Sequence, residues 1–420
     1  MANDLKRSAA EAQLSAFPAP AGEAGWAREV RAKARTRFLE AGAPVRRDEY
    51  WRYTDPSRLT APLETAREGD AEPLSDVFGR TGQKALFVNG RFRGDLSNSL
   101  GGSGAAVQML SDALSQDITI ARKLFGVLEE AGHEKVDRPL AALNTSSSTD
   151  GLLIQCDGDP EPIHIDYQQV GEGASLVHHL IRVESGASLT LLESGVATNT
   201  VMEVDVADGG EFHHVRLQTT AVAPVATHVF ARLGAESAFK TFTLTADGSL
   251  TRNEVVMDLT GDEGSGHIAG AVLAGGQSHV DNTVFVTHSA EDCESRQVFK
   301  NVLGGQGKAI FQGKIFVREG AQKTDGYQIS QAVLLNDGAE FSAKPELEIY
   351  ADDVACSHGS TTGALDPTAM FYLQSRGVPK AEAEAMLIAA FADEAIEEIA
   401  DEELADIVRG EVQAWMARRE

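Results

Sequence analysis

From about residue 151 to 350 the chain is a succession of short apolar or alternating runs rich in β-branched residues: LLIQCDG, IHIDY, SLVHHLIRVESG, SLTLLESG, EVDVADGG, HVFARLG and FKTFTLTADG. Strict apolar–polar alternation marks a strand with one face buried, and the glycine-bearing breaks between runs mark turns. Hardly a helical stretch interrupts the series. A turn of the form Gly-small-x recurs at Gly186, Gly209 and Gly234, at spacings of 23 and 25 residues, with a less regular copy at Gly338. Several short strands per period in the low-to-middle twenties, without helices between them, predict a β-solenoid. A single rung cannot bury its own apolar face, so rungs must stack. The competing architecture is a β-sandwich or jelly roll, whose turn signals also recur every ~8–12 residues; the pattern favours the solenoid.

The flanks have a different texture. Residues 1–150 read as mostly helical. In GWAREVRAKARTRFLEAG, Trp26, Val30, Ala34 and Phe38 fall four apart, one stripe of an amphipathic helix, and Ile120, Leu124 and Leu128 repeat that spacing in DITIARKLFGVLEEA. Within ALFVNGRF, Asn89-Gly90 supplies the positive-φ pair of a tight hairpin. NTSSST (144–149) reads as a loop. Residues 366–420 are helical again: Asp366 caps a helix beginning at Pro367, Gly377 ends it, and Pro379 opens the next. In the last helix Leu404, Val408, Val412 and Trp415 form one stripe, which either packs on the chain's own core or docks a partner. The organisation expected is therefore 1–150 mostly helical with a hairpin, 151–365 solenoid, and 366–420 helical.

The sequence has 420 residues, 42% of them hydrophobic, which supports a large core and excludes wholesale disorder. Glycine is frequent (40) and aromatics are few (6%), as suits a turn-rich β architecture. The net charge of −26 argues against a nucleic acid as ligand. The charge is uneven: residues 1–55 carry a net +2 and residues 346–420 a net −12. The opening stretch MANDLKRSAAEAQL has no apolar signal region and no run approaches membrane-spanning length, so a cytoplasmic protein that does not engage a membrane is expected.

Chemistry-bearing motifs are sparse. GGQGK (304–308) is not a P-loop, because Val302 stands where the first glycine belongs and Ala309 follows the lysine; HExxH, GxSxG, CxxC and the Rossmann glycines are absent. The pairs His178-His179 and His213-His214 sit in strand-like runs, where neighbours point to opposite faces, so neither pair chelates one ion and each should have one packed and one solvated ring. Cys156 and Cys293 read as small core or edge residues. In YADDVACSHGSTTGALD (350–366), Cys356 and His358 are two apart, so on an extended segment both fall on one face. Thiolate and imidazole suit zinc or iron, but two ligands do not close a site, so either the pair is incidental or another chain completes it.

KPELEIYADDVACSHGSTTGALD, followed by FYLQSRGVPKAEAEAMLIAAFADE, closely resembles the C-terminal signature of the SufB/SufD family of iron–sulfur cluster assembly proteins. RRDEYWRYTD (46–55), FVNGRF (87–92) and LNTSSSTDG (143–151) resemble its N-terminal landmarks, so the likeness spans essentially the whole chain. Cys-Ser-His-Gly and the length resemble the SufD branch rather than the SufB branch. The resemblance implies a right-handed parallel β-helix between helical ends, and a non-enzymatic scaffold partnered by a SufB-like subunit and a SufC-like ABC ATPase, where ATP hydrolysis would reside. It places His358 at the SufB interface as a transient metal ligand in nascent cluster assembly, with Cys356 beside it. It assigns SufC docking to the helices after Asp366, for which Phe371, Leu387, Phe391, Leu404, Val408, Val412 and Trp415 are the candidates. No permanent cofactor is expected, only a transient cluster or precursor; reduced flavin in the complex and a homodimer of the lone chain are further expectations. The alternatives are a SufB-like scaffold and, more remotely, a β-helix carbohydrate-active protein or a cupin-like metal protein; the latter lacks its His-x-His.

Overall fold

The computed structural model describes residues 2–61, 71–79, 82–171, 173–219 and 223–418. It is mainly β, 39% strand and 26% helix, and its centre is a parallel β-solenoid of about 7 turns with helices at both ends. From Leu152–Cys156 onward, successive strands are dealt alternately to two sheets, of ten and nine strands, and each strand before the last two pairs with the one two places further along the chain. Leu176–Val183 lies beside Asn199–Val206, and Ser188–Gly195 beside Glu211–Thr219, all parallel. This parallel ladder excludes the antiparallel sandwich.

The rungs differ from the expected period. Glu211 sits 23 residues after its partner Ser188, as the glycine spacing predicts, but Ala238 and Ser265 each follow at 27. The steps then grow to 29 at Glu294, 31 at Asp325 and 30 at Ala355. Strands lengthen from 8 residues in Ser188–Gly195 to 10 in Ser265–Ala274, and the turns vary in length as well, so turn glycines alone are a poor ruler.

The N-terminal hairpin forms as its sequence dictates, with Phe87 opposite Phe92 and both Asn89 and Gly90 at positive φ. Its strand Gln83–Val88 also pairs in parallel with Ile163–Gln168, and Ala105–Met109 pairs antiparallel with Leu152–Cys156. The first solenoid strands are thereby covered on both sheets. The helix Gly25–Ala41 buries Ala27, Arg31, Ala34 and Phe38, a stripe turned slightly from the one read off the sequence because Arg31 is held by Glu23 at 2.7 Å. Gly126 in the left-handed region splits the second helical stretch into Thr119–Leu124 and Val127–Gly132.

NTSSST is not a loop. Most of it closes the helix Pro139–Ser147, which is buried throughout. Much of that buried polarity is satisfied: Asn144 Nδ2 donates to the carbonyls of Val177 and Asn199 at 3.1 and 3.0 Å, and Ser146 Oγ donates to Leu143 O at 2.8 Å, whereas the Thr145 and Ser148 hydroxyls have no partner among the described residues. The histidine pairs also depart from expectation. His178 and His179 are both fully buried, each on a hydrogen bond, to Glu203 at 2.9 Å and to the Tyr167 hydroxyl at 2.8 Å, whereas His213 is half-buried and His214 buried. Cys156 and Cys293 lie in the apolar cluster that fills the lumen.

The outer faces of the two sheets are covered differently. The C-terminal helices pack on the ten-stranded sheet, Ile388, Leu404, Val408 and Trp415 meeting Leu244, Ala271 and Val298. N-terminal segments cover the nine-stranded sheet, with Trp51 and Leu140 on Ala226. Beneath Trp51 a charged network is sealed: Arg252 donates to Glu254 and Asp281, each at 2.6 Å, and stacks 4.1 Å from the Trp51 ring.

Burial pushes His164 and His288 down to about 4 and His179 down to about 3, so all three rings are neutral in the folded chain at pH 7. The unfolded chain takes up these protons near pH 6.5, so acid favours unfolding. Their contribution is complete above about pH 6.5 and is lost as the pH falls toward about 4. At pH 5 the loss is about 2 kcal/mol for each of His164 and His288. The urea midpoint should therefore fall between pH 7.5 and pH 5, and His288→Gln should flatten that dependence; an unmoved midpoint would mean that the buried rings take up protons in the folded chain as readily as in the unfolded one.

Candidate functional site

The last rung consists of Glu340–Ile349 in one sheet and Ala355–Gly363 in the other. Among the described residues each pairs on one side only, with Lys308–Val317 and Asp325–Leu334, and neither carries a further strand. The loss of a neighbour is visible in burial: Lys308–Val317 is almost wholly buried, whereas Glu340–Ile349 has no buried residue. An open strand edge is a row of unpaired backbone donors and acceptors, a template for another chain.

Cys356 and His358 stand on this last rung. Their register partners are Gly326 and Gln328, and both of those face the lumen and are buried. In-register parallel pairing puts partners on the same face, so Cys356 and His358 continue the lumen column beyond the point where the solenoid stops. They are two residues apart on an extended strand, about 7 Å from one Cα to the other. Cys356 is half-buried and packs with Ile315, Val317 and Leu347. Gly326 gives it room: a methyl group there would come within 3.2 Å of its Sγ. Burial pushes the Cys356 thiol up, partly offset by the Gly326 N–H. A reactive thiolate is thus not favoured in this chain alone. His358 is exposed, and no hydrogen bond of its ring is formed among the described residues.

Beneath His358 the column is polar. Gln328 Nε2 donates to Gln297 Oε1 at 2.8 Å, and both glutamines are fully buried. Gln328 Oε1 and Gln297 Nε2 have no partner in the structure. A buried amide with an open valence directly below an imidazole is the arrangement that most distinguishes this end. These glutamines were not singled out from the sequence, although the intervals Gln297–Gln328 and Gln328–His358, of 31 and 30 residues, equal the local rung and would have revealed them. No group of three or more His, Cys, Asp or Glu suited to a metal ion occurs among the described residues. Cys356 and His358 are at most half of a coordination shell.

Residues 166–391 match the family described as SUF system FeS cluster assembly, SufBD core domain. The chain is 30% identical to the iron–sulfur cluster assembly protein SufD of Escherichia coli (strain K12), over 87% of this chain and 88% of that protein. The chain belongs to the SufBD family. A SufBD family protein of Synechocystis is 28% identical over 85% of this chain and 84% of its own length. SufD of Bacillus subtilis (strain 168) is 27% identical over 63% and 64%. This is a SufBD iron–sulfur cluster assembly protein that resembles SufD.

Among the expected docking residues of this SufBD chain, the structure separates two sets. Leu404, Val408, Val412 and Trp415 form the predicted stripe on the helix Glu402–Ala417, but it faces inward: all four are buried against the ten-stranded sheet, and Trp415 Nε1 donates to Asp247 at 3.0 Å. As an open docking face they are corrected to core, because the solenoid's outer wall offers them an apolar surface. Leu387 and Phe391 are half-buried on the helix Lys380–Ile396, and Lys300 Nζ lies 4.8 Å from the Phe391 ring. Phe371, on the helix Pro367–Ser375, is 72% exposed, beside Tyr372. Accordingly Val408→Asp, which buries an unpaired charge, should destabilise the fold by roughly 3 kcal/mol or more. Phe371→Ser should cost under about 0.5 kcal/mol. Urea denaturation of the two variants checks both values; equal effects would place the two residues in the same environment.

Proposed function

We propose that this chain is a SufD-like scaffold subunit in a SufBCD-type complex, pairing with a SufB-like subunit across its last rung and holding nascent cluster there. The observation that carries the reading is Cys356 and His358 at the lumen's open end, on a strand whose outer edge is unpaired. The edge supports strand-to-strand association with a second solenoid, and the two donors support a site that a second chain must complete. Thiolate and imidazole are ligands for iron. The cluster is cargo, and incomplete ligation by either chain favours its release. His358 supplies an imidazole nitrogen donor, and Cys356 becomes a competent ligand once a bound cation offsets the cost of ionising it. The chain itself is read as non-catalytic and cytoplasmic, with ATP hydrolysis supplied by a SufC-like partner.

The SufC-like ATPase is assigned to the exposed part of the C-terminal helices. Phe371, Met370, Lys380 and Ile388 line a cleft of about 790 Å³, of mixed polar and apolar surface, between the helices and Leu334–Leu335 at the solenoid's end. Motion of an ATPase held there would reach the last rung through Asp366, three residues after the strand Ala355–Gly363.

Two experiments test the assignment. His358→Ala should leave expression, SufB and SufC binding and ATPase activity of the reconstituted complex near normal, and strongly reduce anaerobic cluster formation followed by absorbance. Cys356→Ala should be milder, and His358→Cys should retain part of the yield. Wild-type cluster yield from the His358→Ala complex would remove this residue from the mechanism. Separately, Phe371→Ala should weaken SufC capture about tenfold without lowering the melting temperature, as loss of an exposed aromatic anchor does; capture that survives, measured by native mass spectrometry of the co-purified subunits, places docking elsewhere.

A further inference from the structure

RRDEYWRYTD contributes nothing to the lumen's open end, yet it is one of the most densely charged and aromatic stretches in the chain. Its residues divide by direction. Tyr50, Trp51 and Thr54 are buried anchors on the nine-stranded sheet. The Tyr50 hydroxyl donates to Glu346 at 2.7 Å, its carbonyl accepts from Arg252 and Gln312, and Thr54 donates to the buried Asp281. Arg46, Arg47, Arg52 and Tyr53 point the other way and are exposed. A segment pinned this firmly from below presents its outward side chains on a rigid base.

Those side chains line two adjoining hollows, of about 540 and 410 Å³, which share Arg46, Arg52 and Tyr53. Arg58 and Lys308 enter the larger, Arg47 and Lys344 the smaller. The lysines are already neutralised: Lys308 pairs with Glu340 at 2.6 Å and Lys344 with Glu49 at 2.8 Å. Asp55 accepts the Ser57 N–H at 2.9 Å. The four arginines form no ion pair among the described residues; Arg46 and Arg58 donate only to the carbonyls of Arg52 and Ser249. In a chain of net charge −26, with carboxylates in excess, a concavity lined by four arginines and two lysines against three carboxylates, Asp55, Glu340 and Glu49, is anomalous. The four guanidiniums repel one another, and a bound polyanion would relieve that. Guanidinium forks match phosphate oxygens bidentately, and an exposed phenol ring at the join offers a face for a planar group.

We propose that this cleft binds a phosphate-bearing ligand with a planar ring, of the nucleotide class, its phosphates held by Arg46, Arg52 and Arg58 and its ring on Tyr53. The site is separate from the cluster end and does not depend on its assignment. ADP and inorganic pyrophosphate, titrated calorimetrically into the full chain at low ionic strength, distinguish the two parts of the claim. ADP should bind, and salt should weaken it. Arg46→Gln/Arg52→Gln should weaken it about tenfold or more. Arg46→Lys/Arg52→Lys, which keeps the charge but loses the fork, should fall between that variant and the wild type. Tyr53→Ala should weaken ADP at least about fivefold and leave pyrophosphate unchanged. All four side chains are exposed, so melting temperatures should stay at the wild-type value, which confirms that binding rather than folding is read. Absence of ADP binding, or binding that the Gln double variant leaves intact, overturns the site. Equal affinity for ADP and pyrophosphate with a silent Tyr53→Ala overturns the role of the ring.

Discussion

Everything in this molecule hangs on the parallel, in-register backbone ladder that makes each rung the template for the next. Such a stack is one-dimensional: along its axis a rung is stabilised only by the neighbour on either side. Its ends are therefore special by construction. At the N-terminal end the problem is solved internally, by the hairpin strand Gln83–Val88 on one sheet and the antiparallel strand Ala105–Met109 on the other. At the C-terminal end no such cap exists among the described residues, and the last rung is left with two open edges. The chain's lone Cys-x-His pair sits on one of them. An edge of this kind is an aggregation hazard unless another chain covers it, which is a physical reason to expect a dedicated partner there.

The outer walls show how different chemistry solves the same covering problem. On the ten-stranded sheet the solution is apolar: helix residues such as Val408 and Ile388 pack on Leu244 and Val298. On the nine-stranded sheet it is ionic. Arg252, Asp281 and Glu254 are buried beneath Trp51, and Arg138 reaches the second Glu254 oxygen at 3.2 Å. Burial pushes the Glu254 carboxyl up, but Arg252, His228 and Arg138 together outweigh it and hold the group down at about 2. A buried network of this kind is a weak source of stability but a strict one of geometry, because removing any partner leaves a charge unpaired. It fixes the register of the segment 46–55 on the sheet, which an apolar contact alone would fix less sharply.

How far the sequence disclosed this follows from what each signal measures. Alternation and glycine turns report local backbone, so the solenoid and the hairpin at Asn89-Gly90 were legible, as was the cap at Asp366, whose side chain accepts the Thr368 N–H at 2.8 Å. Rung length was not, because it is the sum of two strands and two turns that vary independently. NTSSST misled because polar composition signals a loop only when no distant partner satisfies it, and Asn199 supplies that partner from 55 residues away. The stripe on the last helix was legible as a stripe, but periodicity cannot say whether the covering surface is the chain's own. Cys356 and His358 were correctly placed on one face. That the face is the lumen's open end depends on Gly326 and Gln328 a full rung earlier, a relation that local spacing does not contain.

The basic cleft and the open rung are less independent than their chemistry suggests. Glu340, Ser342 and Lys344, on the outward face of the terminal strand Glu340–Ile349, line the hollows, and Phe341 and Leu347 of the same strand face the lumen side. The strand has only one paired neighbour among the described residues, so it is less constrained than the strands paired on both sides. A ligand that ordered its outward side chains would lower the entropic cost of ordering its free edge, and a partner on that edge would do the same for the ligand. By linkage the two effects must be equal. A scaffold whose last strand is stiffened from one side and paired from the other has, in that single element, a physical means of coupling what occupies the cleft to what is assembled at its end.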